Sequence, residues 1–348
     1  MTGCMSAMTS RELVYATLDF KNITGIAPRD LWTLPWAEMN HGEALKQIQQ
    51  DFPPDIIFLP DEYKLYKEPL NTKGNPFEVG SYTDEWGVVW QNAGKGHIGE
   101  VKEPIIAGEN GWDDTSRINI PEALLTFDTK AVNEYCEKTD KFVVMTDLAR
   151  PFERIQFIRG SESLFVDLAL DDPKMLAMLE KIHDFNCRLF ERWGQTKVDA
   201  LFAMDDWGTQ RSLLINPEKW KQVFKPMYRD YSDIAHKHGK RLFFHSDGNT
   251  LAIIPELIDI GFDAVNLQIF AIGVEKLAQF RGEITFWGEM DRQHLLPRGT
   301  PEDIADAVKL VRDMVWQDGG AIAQLEFGPG ANPDNIRQYF ASWMAYGT

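Results

Sequence analysis

The run RLFFHSDG, residues 241–248, carries apolar and aromatic positions into His245, Ser246 and Asp247. Along an extended strand side chains alternate in direction, so His245 and Asp247 share a face. An imidazole beside a carboxylate can ligate a metal or exchange a proton. Neighbouring runs end in the same manner. LFAMDDWG ends in Asp205 and Asp206, DAVNLQ in Asn266 and Gln268, ITFWGEMD in Glu289 and Asp291, and AIAQLEFG in Glu326. Taken singly, a carboxylate at a strand end is most often a helix cap or a solvated loop residue, and a lone histidine a satisfied core residue. Asp247 could cap the following helix, and Asp291 could cap a loop or pair with Arg292. Convergence gives the set its weight, because His245, Asp247, Glu289 and Glu326 would face one basin. Such a set suits a hard metal site with an open position; it contains no cysteine, which excludes a soft thiolate centre. Without a metal, crowded carboxyl groups titrate high and can do general acid–base work.

The elements that must position these residues follow a regular rhythm. Strand patterns at 198–205, 241–247, 263–268, 283–291 and 321–328 alternate with helical patterns at 217–239, 250–261, 273–282, 300–320 and 332–344. Proline opens several of the helices, glycine closes several, and Thr300 is placed to cap one. Earlier strands are expected at 55–60 and 141–147, with a helix over 171–194. Strands alternating with helices imply parallel βαβ units. The count suits a (β/α)8 TIM barrel, an α/β fold, with an N-terminal extension; a doubly wound open sheet is the competitor. Barrel active sites gather at the C-terminal ends of the strands, where these polar residues fall. No GxGxxG turn follows any strand, so a dinucleotide site lacks its fingerprint. Residues 61–125 are different, rich in Gly, Trp, Asn and Asp. The stretch near 80–105 reads as an inserted loop or hairpin in which WGVVW precedes a glycine-rich turn. With no linker, repeat or low-complexity tract, residues 1–348 read as a single domain.

Composition narrows the classes. The 348 residues are 44% hydrophobic, enough for a large core, and the net charge of −17 argues against nucleic acid and against an anionic membrane surface. No apolar run approaches a membrane span, and the N-terminus lacks a signal-peptide pattern. Cys4, Cys136 and Cys187 show neither CxxC spacing nor an even count, which fits a reducing cytoplasm. Thr9 or Ser10 is placed to cap a first helix, TSRELVYATL. The chain has 11 Trp, 21 Phe and 9 Tyr. Trp86, Trp90, Trp207 and Trp287 fall near the acidic strand ends, where they could wall a pocket for a flat aromatic substrate or a corrin face.

The segments DDWGTQRSLLINPEKWKQVFKPMY, KHGKRLFFHSDGN, GEMDRQHLLPRGTPEDI and FGPGANPDNI resemble the uroporphyrinogen decarboxylase superfamily, and most its cobalamin-dependent methyltransferase branch. The likeness spans roughly 200–340, with RELVYATLDF and YTDEWGVVW added near the N-terminus. It implies a TIM barrel. The arginine-rich segment that holds porphyrinogen carboxylates in true decarboxylases is GIAPRDLWTLPWAEM here, with Arg29 alone, and the later GHG is GPG at 328–330. The branch that methylates coenzyme M holds zinc through His-x-Cys and a later Cys. This chain keeps His245 but has Asp247 and Pro329 at those positions, and Glu326 is the nearest replacement donor. The pattern is similar to methyl-donor-side enzymes, including aryl-ether O-demethylases.

The resemblance therefore implies transfer of a methyl group from a small-molecule donor, an aromatic methyl ether foremost, to the Co(I) corrinoid of a partner protein. Cobalamin would ride on that partner, because the chain lacks a DxHxxG-type lower-ligand motif. A zinc ion at His245, Asp247 and Glu326 would act as Lewis acid on the ether oxygen; in its absence a protonated carboxyl group would donate a proton. Asp84, Glu85, Asp206 and Glu289 are the acid or substrate-handling candidates. Trp86, Trp207, Gln210, Asn266, Gln268, Trp287 and Asp291 are the candidates for lining the substrate. Family barrels often pair, which makes a homodimer possible and leaves the oligomeric state open. The alternatives are a decarboxylase or lyase of an aromatic or tetrapyrrole acid, a methyltransferase with another donor such as a methylamine or thioether, and a non-catalytic binding protein.

Overall fold

The computed structural model describes residues 8–108 and 111–347. Cys4 lies outside the described residues. Eight parallel strands form the barrel: β1 (Arg29–Thr33), β2 (Ile56–Phe58), β3 (Phe142–Val144), β4 (Ala200–Met204), β5 (Arg241–Ser246), β6 (Ala264–Leu267), β7 (Thr285–Trp287) and β8 (Ala321–Phe327). Pairing runs from β2 through β3 to β8 in chain order, and β1 then pairs with β8. The remaining seam closes where the Asp55 amide donates to the Arg29 carbonyl at 2.7 Å. The (β/α)8 expectation holds, and the open sheet is excluded.

Strand β1 escapes the sequence pattern because its first two residues are polar. Both have structural tasks. Arg29 donates through its backbone N–H and its Nε to Asp55 across the seam, at 2.8 and 3.0 Å. Asp30 is buried and accepts the indole N–H groups of Trp32 at 2.9 Å and Trp287 at 2.8 Å. Burial pushes its carboxyl up to about 7 against the pull of these donors.

The seam device repeats. Asp55, Asp199 and Asp263 each stand one residue before an even-numbered strand. Each accepts the amide of a residue in the preceding strand, respectively Arg29, Val143 and Leu242, at 2.8 Å. A guanidinium completes each tie, from Arg29 at 3.0 Å, Arg11 at 3.1 Å and Arg241 at 2.8 Å. Helix Ser10–Leu18 lies across this N-terminal end of the barrel. Thr9 caps it in a capping box with Glu12, and Ser10, Arg11 and Tyr15 reach Asp55 and Asp199. The N-terminal extension is thus a cover over the end opposite the rim.

Aromatic rings fill the barrel interior. Trp287 lies 5.2 Å from Trp32, 5.5 Å from Phe202 and 5.0 Å from Phe243, measured between ring centroids, with Phe58 packed beside them. Outer helices start where the sequence places them, with Asp172, Asn216, Thr300 and Asn332 as caps followed by proline. Residues 273–282 differ from expectation: they form a 3₁₀ helix, Val274–Phe280. Among the described residues no helix is long and apolar enough to cross a membrane.

The inserted segment is a three-stranded antiparallel sheet of Gly80–Thr83, Val89–Asn92 and Glu100–Val101. Its first turn is DEWGV rather than the later glycine-rich stretch. Gly87 adopts φ +88°, and Asp84 Oδ1 accepts the amides of Trp86 and Val88 at 3.0 and 2.9 Å. That turn hydrogen bonding ends the strand before WGVVW begins.

Asp199→Ala strips partners from the Val143 amide, the Tyr15 hydroxyl and Arg11 together. A loss of about 2–4 kcal/mol in urea unfolding is expected; a loss below about 0.5 kcal/mol would contradict the role given to these ties.

Candidate functional site

The loops after β4 and β5 are locked backbone to backbone, and this fixes where their carboxylates point. The Gly208 amide donates to the Asp247 carbonyl at 3.0 Å, and the Asn249 amide to the Thr209 carbonyl at 2.7 Å. Gly208 and Gly248 lie so close that a Cβ on either would overlap the backbone of the other. The Asp205–Asp206 pair divides at this point. Asp205 turns into the core, accepts the amides of Phe152 and Glu153 at the start of helix Pro151–Arg159, and takes the Tyr228 hydroxyl. Asp206 turns to the rim.

His245, one residue before the end of β5, is buried. Its Nδ1 meets Asn266 Oδ1 at 2.6 Å. The Asn266 amide nitrogen already donates to Gln324 Oε1 at 2.8 Å and to the Trp287 carbonyl. Its oxygen is therefore left to accept, which places a proton on His245 Nδ1 and turns Nε2 to the rim. There Nε2 stands 3.5 Å from Asp206 Oδ1 and 3.7 Å from Asp247 Oδ1. Burial works against an imidazolium, but Asp206, Asp247 and Asn266 outweigh it and push the imidazole up to about 9. Asp206 is lowered by His245 in spite of its own burial.

One ligand atom from each of Asp206, His245 and Asp247 lies within 4.8 Å of the other two. A nitrogen and two carboxylate oxygens fit a divalent cation with an open position, and Asn266 supplies the hydrogen bond that commonly orients a ligating histidine. The expected set of His245, Asp247 and Glu326 needs correction in its third member. Arg292 stands between, donating to Asp247 at 3.0 Å and to Glu326 at 3.2 Å, with its Nε paired to the Glu289 carboxylate at 3.0 Å. Glu326 is a guanidinium partner, and Asp206 takes its place beside the histidine. Glu289 is buried, which pushes its carboxyl up to about 8 although Arg292 opposes the shift.

A cavity of about 790 Å³ opens beside the cluster, lined by Gln210, Asp247, Gln268, Glu289, Asp291 and Arg292 among others. Gln268 holds the Gly248 amide at 3.0 Å. Asp291 accepts the amides of Gln293 and His294, both at 2.8 Å, so one of its oxygens is a turn cap as well as part of the wall. A second cavity of about 510 Å³ lies at the ends of β2 and β3 and includes Glu85, Trp86, Arg150 and Arg154.

The structure separates the other candidates. Trp207 and Trp287 do not wall a pocket: both are fully buried, with indole N–H groups on Tyr228 at 2.9 Å and Asp30 at 2.8 Å. Trp32, half-buried, is the tryptophan that packs against the His245 ring, at 5.4 Å. Asn266 is a positioning residue behind the histidine rather than a substrate contact. Asp84 is committed to its turn and to Arg154 at 2.6 Å, which removes it as a free acid. Glu85 pairs loosely with Arg154 at 3.6 Å and faces the second cavity. Trp86 packs edge-on against Phe185 at 5.3 Å. Sequence reasoning left out Arg150 and Glu153 as site residues and named Arg292 only as a partner of Asp291. The available signal was an acid and an arginine three residues apart, in both Arg150/Glu153 and Glu289/Arg292.

A family model described as Uroporphyrinogen decarboxylase (URO-D) matches residues 92–346, and the chain belongs to that family. Among solved structures it is similar to a methyltransferase from Methanosarcina mazei, at 13% identity and a TM-score of 0.67, covering 98% of this chain and 99% of that one. A weaker likeness is to the intracellular xylanase TsXylA from Thermoanaerobacterium saccharolyticum, at 11% identity and a TM-score of 0.37, covering 89% and 88%. A search of curated protein sequences gives no match.

Arg292→Met leaves Asp247, Glu289 and Glu326 without their shared cation. A loss of about 3 kcal/mol near pH 8 is expected. Carboxyl groups held above their ordinary value favour the folded state when protonated; that contribution is full at low pH and is lost as pH rises through the folded value, about 8 for Glu289. The deficit of Arg292→Met should thus shrink as pH falls toward 5, measured by denaturant unfolding across pH. A pH-independent deficit would refute the charge-sharing role.

Proposed function

We propose that this member of the uroporphyrinogen decarboxylase family is a methyltransferase that takes a methyl group from a small-molecule donor, an aromatic methyl ether foremost, and passes it to the Co(I) corrinoid of a partner protein. The observation that carries the reading is the buried imidazole of His245, held by Asn266 with Nε2 turned to Asp206 and Asp247 at the barrel rim. The similarity in fold to a methyltransferase along nearly the whole chain supports it.

In this reading the methyl carbon leaves the ether oxygen, and both electrons of the broken bond stay on that oxygen. The chain must stabilise the charge that develops there. Zinc, if held by His245, Asp206 and Asp247, supplies a Lewis acid for that oxygen. Without metal, the same imidazole carries a proton on Nε2, since its value of about 9 keeps it charged at neutral pH. Its proton would then go to the leaving oxygen. Asn266 holds the Nδ1 proton and the ring orientation in both cases. Arg292 orients Asp247, donating to both of its carboxylate oxygens.

The decarboxylase alternative requires a cation where a porphyrinogen carboxylate would lie. Arg29, the arginine in the matching segment, is instead tied to Asp55 at the opposite end of the barrel.

Loss of the Co(I) absorption band, on mixing the chain with a reduced corrinoid protein and methoxyarenes, is the test. His245→Ala should abolish it, and Asn266→Ala should slow it about 10–100-fold. Dependence on added zinc would assign the Lewis-acid route, and indifference to zinc and chelator the proton route. No loss of the band with any O-methyl donor would overturn the aryl-ether reading.

A further inference from the structure

On the outer wall of the barrel, away from the rim, a second group of ligand-type side chains comes together. Helix Pro173–Gly194 carries His183 and Cys187, and helix Lys225–Lys237, packed against it through Phe190 and Tyr231, carries Asp230. Residues four apart share one helix face. His183 Nε2 lies 2.9 Å from Asp230 Oδ2 and 3.7 Å from Cys187 Sγ. One ligand atom from each of the three lies within 4.8 Å of the other two. A tetrahedral zinc ion, bonded at about 2.0 Å to nitrogen and about 2.3 Å to sulfur, holds those two atoms about 3.5 Å apart. The observed spacing is close to that. A hydrogen-bonded histidine and aspartate would account for two of the groups; the thiol adds a third donor of a different kind.

The surroundings favour a cation. Asp184 and Glu191 lie near Cys187 but have cations of their own, Arg188 at 3.0 Å and Lys237 at 2.7 Å. Asp230 pairs with no lysine or arginine among the described residues; its partner is His183. The other imidazole nitrogen, Nδ1, meets the hydroxyl of buried Tyr231 at 3.1 Å, and Asn186 donates to that hydroxyl at 3.2 Å. The ring is thus held from behind, as a ligating histidine commonly is. A hydroxyl both donates and accepts, so it serves Nδ1 in either tautomer. Asp230 is exposed, which leaves the outer face open to water.

We infer that His183, Cys187 and Asp230 form a separate site for a thiophilic divalent cation of the zinc class, clamping these two helices together. Sulfur and imidazole donors disfavour calcium and magnesium, which take oxygen ligands. On binding, the Cys187 S–H bond breaks, its proton passes to solvent, and the sulfur lone pair goes to the metal. The imidazole stays neutral, with its proton on Nδ1 facing Tyr231. A content of one zinc per chain would therefore not by itself place the ion at the rim.

The probe is Co²⁺, added to the reduced full chain without corrinoid or methyl donor. Thiolate-bound Co²⁺ shows a sulfur-to-metal charge-transfer band in the near ultraviolet; Asp206, His245 and Asp247 contain no sulfur and give none. One equivalent should develop the band, and Zn²⁺ should abolish it with a Kd below about 1 µM. Cys187→Ser should lose the band, and a Cys4→Ser/Cys136→Ser double variant should keep it. His183→Ala and Asp230→Asn should each weaken Co²⁺ binding at least about 10-fold, the loss that follows even from removing a group behind a ligand. No band in the folded wild-type chain would overturn the inference, whatever the variants do. A band that survives Cys187→Ser would do the same, as would displacement only at about millimolar Zn²⁺, the mark of an adventitious ion only. Failure of methyl transfer would overturn only the proposed function, since no corrinoid enters this titration.

Discussion

One guanidinium carries the electrostatics of the rim. Asp247, Glu289 and Glu326 come from the ends of three different strands and crowd together at the rim, where carboxylates repel one another. Arg292 reaches all three at 3.0–3.2 Å. With their charges shared, Asp247 can stand beside His245 in an orientation set by the protein. Arg292 is itself carried on the loop after β7, four residues from Gly288, where φ is +74° and a Cβ would collide with Gln324. That loop therefore positions the counter-charge for groups on β5 and β8.

Beneath the rim the requirement is rigidity. His245 is fixed through Asn266 to Gln324 and to the Trp287 carbonyl, so a single polar chain links β5, β6, β7 and β8. Trp32 and Trp287 form the floor under that chain, and both indoles donate to Asp30. A buried carboxyl that accepts two indoles holds the rings in one orientation, and the floor in turn limits where the imidazole can lie. Dense interiors transmit such constraints because they leave no room to yield.

Much of this was legible in the residues. Strands β4 to β8 read as apolar runs because both their faces are buried, and their polar ends stand out against that background. β1 was hidden because Arg29 and Asp30 occupy strand positions in tertiary roles that no local pattern encodes. His245 and Asp247 were legible from period-two spacing. Asp206 as their companion was not, since its direction depends on the close approach of Gly208 and Gly248, residues 40 positions apart in the chain. Glu326 was placed at the right rim, but its partner could be known only once Arg292 was seen to reach across. Tryptophans near strand ends gave no means of telling floor from wall: Trp207 lies 4.0 Å from the ring of Phe152, deep in the core.

The aspartates at the far end of the barrel each hold two neighbours. Through their carboxylates Asp55, Asp199 and Asp263 join β1 to β2, β3 to β4 and β5 to β6, and through their carbonyls they take the amides of Phe142, Arg241 and Thr285 at the next strand, at 3.0, 3.0 and 3.2 Å. The same side-chain stitch recurs at three of the strand pairs. Every stitch lies at the end remote from the catalytic candidates. Residues at the rim can therefore change while the foundation that assembles the strands remains as it was.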